Sequence, residues 1–182
     1  MVKPVTRSLQ DTIRTVPDFP KKGILFRDIT TLLKDPDALA SAAEKLAARF
    51  AAERITTVAA IESRGFILGG ILADRLHAGF VPIRKPGKLP AATLRQEYTL
   101  EYGTDALEIH RDAIAPGARV LLHDDLLATG GTAAAACGLV TALGGRIVCA
   151  SFLIELTFLK GRQLLRGIDV FSLVRYETED GL

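Results

Sequence analysis

Behind Asp35-Pro36, apolar residues recur at helical spacing: Leu39, Ala42, Ala43, Leu46, Ala47 and Phe50 share one face. Asp at the N-cap and Pro at the first helical position mark where that helix starts. Almost uniformly apolar runs, all short but the long one over Arg146–Leu156, read instead as strands of a covered parallel sheet. They cover Thr57–Ile61, 80–83, 119–123, Arg146–Leu156 and 169–174. Residues 65–76 are apolar nearly all round and predict a buried helix. Residues 131–143 predict another helix, stopped by Gly144-Gly145, and 158–165 a third. Before the first helix, 8–15 reads as a short helix, 17–23 as a turn and 24–29 as a short extended piece. Thr93–Leu100 alternates like an exposed ribbon, and 105–110 is placed to pair back onto it. Alternating strands and helices predict an α/β fold: a mainly parallel, twisted sheet flanked by helices. Ligands of such sheets bind beyond the carboxyl ends of the strands.

Length and composition narrow the class. The 182 residues fit one domain, and 48% hydrophobic with 24% charged residues reads as ordinary globular. A net charge of +2 supplies no field that calls for nucleic acid or an anionic membrane as partner. No apolar run reaches the roughly 18 residues of a membrane span, and residues 1–10 lack the apolar centre of a signal peptide. Cys137 and Cys149 fall inside apolar segments, as reduced core thiols do in cytoplasmic proteins. The positive residues cluster all the same, with Arg84, Lys85, Lys88 and Arg95 close together. Such a patch suits a small polyanion.

The most informative stretch is Val120-Leu121-Leu122-His123-Asp124-Asp125-Leu126-Leu127-Ala128-Thr129-Gly130-Gly131-Thr132. An apolar strand ends in two carboxylates, and a Thr-Gly-Gly-Thr turn then opens a helix. Glycines at such a turn let backbone N–H groups converge on a monophosphate, and the helix amino end adds partial positive charge. The carboxylates repel phosphate but accept hydrogen bonds from vicinal hydroxyls or hold a cation. Ribose 5-phosphate offers both halves. No Gly-x-x-x-x-Gly-Lys-Ser/Thr loop and no helix-opening Gly-x-Gly-x-x-Gly is present, so the site belongs to neither of those phosphate-binding classes.

These thirteen residues resemble the phosphoribosyl pyrophosphate motif of the type I phosphoribosyltransferases. From about Val16 to Glu177 the chain is similar to the adenine phosphoribosyltransferases. Pro17-Asp18-Phe19-Pro20 with Gly23-Ile24-Leu25-Phe26-Arg27-Asp28-Ile29 resembles their purine-covering hood, about residues 1–34. Glu62-Ser63-Arg64-Gly65-Phe66 resembles their pyrophosphate loop. Ile83-Arg84-Lys85-Pro86-Gly87-Lys88-Leu89-Pro90 and Leu100-Glu101-Tyr102-Gly103 resemble a flexible catalytic loop, about 85–103. Leu25 stands where valine is common, and His123 replaces a usual aliphatic.

The resemblance implies roles. Asp124 and Asp125 contact the ribose hydroxyls, while Ala128, Thr129, Gly130, Gly131 and Thr132 wrap the 5-phosphate. Ser63 and Arg64 meet pyrophosphate at a strand-to-helix turn, joined by Arg84, Lys85 and Lys88, which would stabilise the leaving group. Glu101 is the candidate acid/base, with Tyr102 beside it in the loop. Phe26 can stack on a purine, the main chain of Leu25 and Arg27 reads the adenine edge, and Leu126 lies against the base. The Arg27 side chain is as well suited to pairing with Asp28. Mg²⁺ is expected as cofactor, held mainly by substrate and water, and the implied assembly is a homodimer. Alternatives are a hypoxanthine, guanine or xanthine phosphoribosyltransferase, or a regulator that senses phosphoribosyl pyrophosphate. The short N-terminus leaves that regulator no DNA-binding appendage.

Overall fold

The computed structural model describes residues 8–100 and 103–179. The chain enters through a 3₁₀ turn, Gln10–Thr12, and not through the helix expected over 8–15, because Arg14–Pro17 (β1) is drawn into antiparallel pairing with Leu25–Asp28 (β2). A one-turn helix, Thr30–Leu33 (α1), leads to Pro36–Phe50 (α2). There the Asp35 carboxylate accepts hydrogen bonds from the Asp37 and Ala38 N–H groups, as an N-cap does. Ala38, Ala42, Ala43, Leu46 and Phe50 are buried along one face.

Thr57–Ile61 (β3), Gly65–Arg75 (α3) and Gly79–Ile83 (β4) follow, then the antiparallel hairpin of Thr93–Leu100 (β5) and Gly103–His110 (β6). Arg119–Leu127 (β7), Gly131–Ala142 (α4), Arg146–Leu156 (β8) and Val170–Tyr176 (β9) complete the described chain. The central sheet has the order β4-β3-β7-β8-β9, with every neighbouring pair parallel. One apolar core joins α2 and α3 to the sheet; a second joins α4 and the β6 hairpin strand to it. Helices on both faces thus bury both sides of the strands, which is why these read as unbroken apolar runs. No helix among the described residues is long and apolar enough to cross a membrane.

Three further elements depart from the expectation. Strand β7 does not stop at His123 but continues through Asp124 and Asp125 to Leu127, since pairing with β8 satisfies its backbone as far as Leu127 opposite Glu155. Helix α3 is not buried all round: Ile67 is 42% exposed and Phe80, on neighbouring β4, 39%. The helix expected over 158–165 is two 3₁₀ turns, Thr157–Leu159 and Gly161–Leu164, divided by Lys160 in the left-handed region at φ 56°.

Candidate functional site

The turns after β3, β4 and β7 all leave the carboxyl end of the sheet, where the fold class places ligands. After β7 the backbone turns at Gly130, whose φ of 89° is a left-handed conformation that side chains disfavour. Gly130 is the N-cap of α4. The amino end of α4 therefore meets a small cavity of about 80 Å³ lined by Asp124, Leu126, Ala128, Thr129, Gly130, Thr132 and Ala133. Helix amino ends attract anions through free N–H groups and the helix dipole. Strand pairing up to Leu127 brings the carboxylates and the glycine turn to one side of the molecule.

Asp124 accepts a hydrogen bond from the Asp125 N–H at 2.9 Å. Burial, followed by the neighbouring Asp125 charge, pushes the Asp124 carboxyl well above the ordinary carboxylate range. Burial also raises Asp125, which is 5% exposed, although Arg64 opposes the shift. Arg64 Nε lies 2.9 Å from Asp125 Oδ2, and its charge also opposes the upward shift of the adjacent Asp124 carboxyl. Such a pair gains from any ligand that donates hydroxyl hydrogen bonds or brings a cation.

Arg64 also faces the ring of Phe26, its guanidinium carbon 5.1 Å from the centroid. It therefore stands between the acidic pair and an apolar cavity of about 390 Å³ lined by Val16, Phe19, Phe26, Asp28, Thr30 and Arg64. Phe19 meets Phe26 edge-on at 5.0 Å, forming an aromatic wall. Leu25 and Phe26 are half-buried. The Arg27 side chain does not pair with Asp28, which Arg14 holds through Nε at 3.0 Å. Arg27 is buried; it stacks on Tyr176 at 4.0 Å and donates to Thr15 Oγ1 and the Glu179 carbonyl, each at 2.5 Å. Leu126 lines the small cavity at the amino end of α4, and the aromatic cavity does not include it.

Two of the basic residues after β4, Arg84 and Lys85, are anchored. Arg84 donates from Nε to Glu62 Oε2 at 2.6 Å and from Nη1 to the Lys88 carbonyl at 3.1 Å. Lys85 pairs with Asp105 and lies 3.1 Å from the Tyr98 hydroxyl. Burial opposes the Lys85 charge, but Asp105 and Tyr98 outweigh it and hold the ammonium above its usual range. Lys88 is exposed, and the Gly87 N–H donates to Glu108 at 3.0 Å. Ser63 is exposed in the β3–α3 turn, where the Glu62–Ser63 peptide is cis. Glu101 and Tyr102 lie outside the described residues. Reading the chain alone misses Glu62 and Asp105 as partners of the basic cluster. Glu62 directly follows β3 and Asp105 lies within β6, and only the folded arrangement shows which cations they meet.

Residues 28–162 match the model of the phosphoribosyl transferase domain. An adenine phosphoribosyltransferase of Acidobacterium capsulatum is 58% identical over 168 residues, covering 92% of this chain and 93% of that relative. The crystal structure of adenine phosphoribosyltransferase from Thermoanaerobacter pseudethanolicus superposes with a TM-score of 0.90 at 54% identity, over 93% of this chain and 100% of that one. The Saccharomyces cerevisiae enzyme, crystallised with an imino-altritol bisphosphate and adenine, gives 0.86 at 40% identity, over 91% and 96%. With its acidic pair, glycine turn and aromatic wall on this sheet, the chain belongs to the phosphoribosyltransferase family, among its adenine phosphoribosyltransferases.

Proposed function

We propose that this chain joins adenine to 5-phosphoribosyl 1-pyrophosphate, giving AMP and pyrophosphate, a purine salvage step. The observation that carries this is the alignment of phosphate cradle, acidic pair, Arg64 and aromatic cavity. Residues 128–132 take the 5-phosphate, and Asp124 and Asp125 accept hydrogen bonds from the ribose hydroxyls. Ser63 and Arg64 meet the pyrophosphate, with Arg84, Lys85 and Lys88 around it. Phe26 stacks on adenine; the Leu25 and Arg27 main chain and Leu126 border it.

Adenine N9 then forms a bond to ribose C1 as the C1–oxygen bond breaks, and the electron pair leaves with pyrophosphate. The two carboxylates favour the positive charge that develops on the sugar, and the cationic groups favour the departing anion. Glu101 takes part in moving the proton of the base. Residues from about 85 to 103, a stretch that contains strand β5 and Tyr102, act as an arm that keeps water from the donor, and residues 1–34 act as a hood, all within one domain.

Among the described residues no cluster of three or more His, Cys, Asp or Glu forms a metal cage. Asp124 and Asp125 are hard oxygen donors of the kind Mg²⁺ takes beside phosphates. Mg²⁺ would be held mainly by substrate and water, with Asp124 and Asp125 nearby, and would supply charge neutralisation of the pyrophosphate. A homodimer is proposed as well, supported by the apolar surface at Ile67 and Phe80. A cytoplasmic location is supported by two buried free thiols, Cys137 and Cys149.

The test is purified protein with Mg²⁺ and phosphoribosyl pyrophosphate, offered each purine separately, with pyrophosphate release measured. Adenine is expected to be the preferred acceptor. Preference for hypoxanthine, guanine or xanthine would overturn the adenine assignment, and release with none of them would overturn the catalytic reading.

A further inference from the structure

Behind the phosphate loop lies an ion-pair network that none of these roles uses. Glu155 in β8 is 3% exposed and stands in register with Leu127, the residue before Ala128. Its carboxylate accepts two hydrogen bonds from Arg162, Nε to Oε1 at 2.6 Å and Nη2 to Oε2 at 2.7 Å, in a fork-to-fork geometry. Ser172 Oγ donates to Glu155 Oε2 at 2.5 Å and lies 3.3 Å from Arg162 Nη2. Arg162 Nη1 closes the arrangement on the Val170 carbonyl at 2.9 Å. Glu155 is buried but the Arg162 side chain is 39% exposed, so solvent screens the pair and its net contribution to stability is small. Its distinctive effect is geometric, because a bidentate guanidinium has one preferred orientation.

What that orientation fixes is the preceding residue. A Cβ on Gly161 would stand 2.2 Å from the Ala128 carbonyl oxygen and 3.1 Å from the Gly130 nitrogen. A Cβ on Gly130 would stand 2.3 Å from the Gly161 carbonyl oxygen. The two backbone segments therefore touch with no room for a side chain between them. Arg162 is one peptide bond from that contact, and Glu155 is directly across the sheet from the strand end that feeds the loop. Arg162 and Glu155 therefore bracket the loop from both sides.

We propose that Arg162, clamped by Glu155 and Ser172, is a positioning residue that sets the phosphate loop through the backbone of Gly161. The proposal rests on the reading of residues 128–132 as the 5-phosphate site. It predicts an effect on the sugar-phosphate donor and not on the base. Shifting Gly161 moves residues 128–130, whereas the aromatic cavity around Phe26 shares none of these contacts.

The experiment compares KM for phosphoribosyl pyrophosphate and KM for adenine in the wild type and in Arg162→Met, Arg162→Lys, Ser172→Ala, Gly130→Ala and Asp35→Ala. Arg162→Met is expected to raise the donor KM about tenfold, with the adenine KM within about twofold. Arg162→Lys, which keeps the charge but loses the fork, should fall between it and the wild type. Asp35→Ala loses the α2 cap and lowers the melting temperature, yet should move neither KM, which separates positioning from general loosening. If Arg162→Met does not fold, Arg162→Lys and Ser172→Ala carry the same comparison. A donor KM raised by Gly130→Ala but unchanged in the Arg162 and Ser172 variants would overturn the positioning role alone. A donor KM unchanged by Gly130→Ala would overturn the loop assignment and the proposal with it.

Discussion

His123 gives this chain an acid sensitivity that can be worked out from its surroundings. The ring is 0% exposed, in register with Ala60 of β3 and with Ser151 of β8, whose hydroxyl has no partner among the described residues. Burial pushes the imidazole down to about 4 from its ordinary 6.5. A base lowered in the folded state binds its proton more weakly there than when unfolded. Its contribution to stability is therefore complete above pH 6.5 and is lost progressively as pH falls to about 4. The whole interval corresponds to about 3 kcal/mol at 1.36 kcal/mol per tenfold change in proton affinity. A domain of this size shifts its melting temperature by roughly 2–4 °C per kcal/mol, so the effect is about 6–12 °C. His123→Val removes the titrating group from the same sheet position. Melting temperatures from pH 7.5 to 4 are expected to fall more steeply in the wild type than in His123→Val, by that difference. Carboxyls held low by ion pairs, Asp28, Asp105 and Glu155, titrate in both proteins and cancel in the comparison. Parallel curves for the two proteins would refute the reasoning, whatever offset the smaller side chain produces at pH 7.5.

Asp124→Asn should remove a carboxyl that burial and Asp125 already disfavour when ionised. Because that acid is raised in the fold, its ionisation costs stability as pH rises, so the variant should be more stable relative to the wild type at pH 8 than at pH 5. Turnover should fall by about 10²-fold or more; a variant no more stable relative to the wild type at pH 8 than at pH 5, or near-normal turnover, contradicts this. Glu101→Gln is expected to lower kcat far more than it weakens donor binding, and an unchanged kcat would make Glu101 a bystander. Gly138→Ala, in α4 with nothing nearer its new Cβ than Gln96 Oε1 at 3.8 Å, should stabilise by about 0.5–1 kcal/mol without altering either KM. Thermal melts and initial-rate assays decide both.

Much of this was legible from residue order. The five central strands and the capped α2 announce themselves through apolar runs and the Asp35-Pro36 start, since burial on both faces leaves a direct mark on sequence. The acidic pair and the glycine turn that opens α4 were legible because they are contiguous. Contacts between segments distant in sequence were not. Arg14–Pro17 became a strand because β2 was there to pair with it. Asp124 and Asp125 hid the end of β7, as polar residues look like loop until their backbone partners are known. The division of 158–165 at Lys160 follows from packing Gly161 against Ala128 and Gly130. The anchoring of Arg84 by Glu62 and of Lys85 by Asp105 joins separate strands.

The grip of Arg27 on Thr15 and Glu179 has a practical side. It fastens segments from opposite ends of the chain to the strand that carries Phe26, so a load on either end is transmitted to the aromatic wall. A surface tether or fused protein attached near residue 14 or residue 179 would pull on that strand. Attachment at exposed Arg54 or Gly167, at the amino ends of β3 and β9, would leave it unloaded. For an immobilised enzyme, the opposite end of the sheet is the side to anchor.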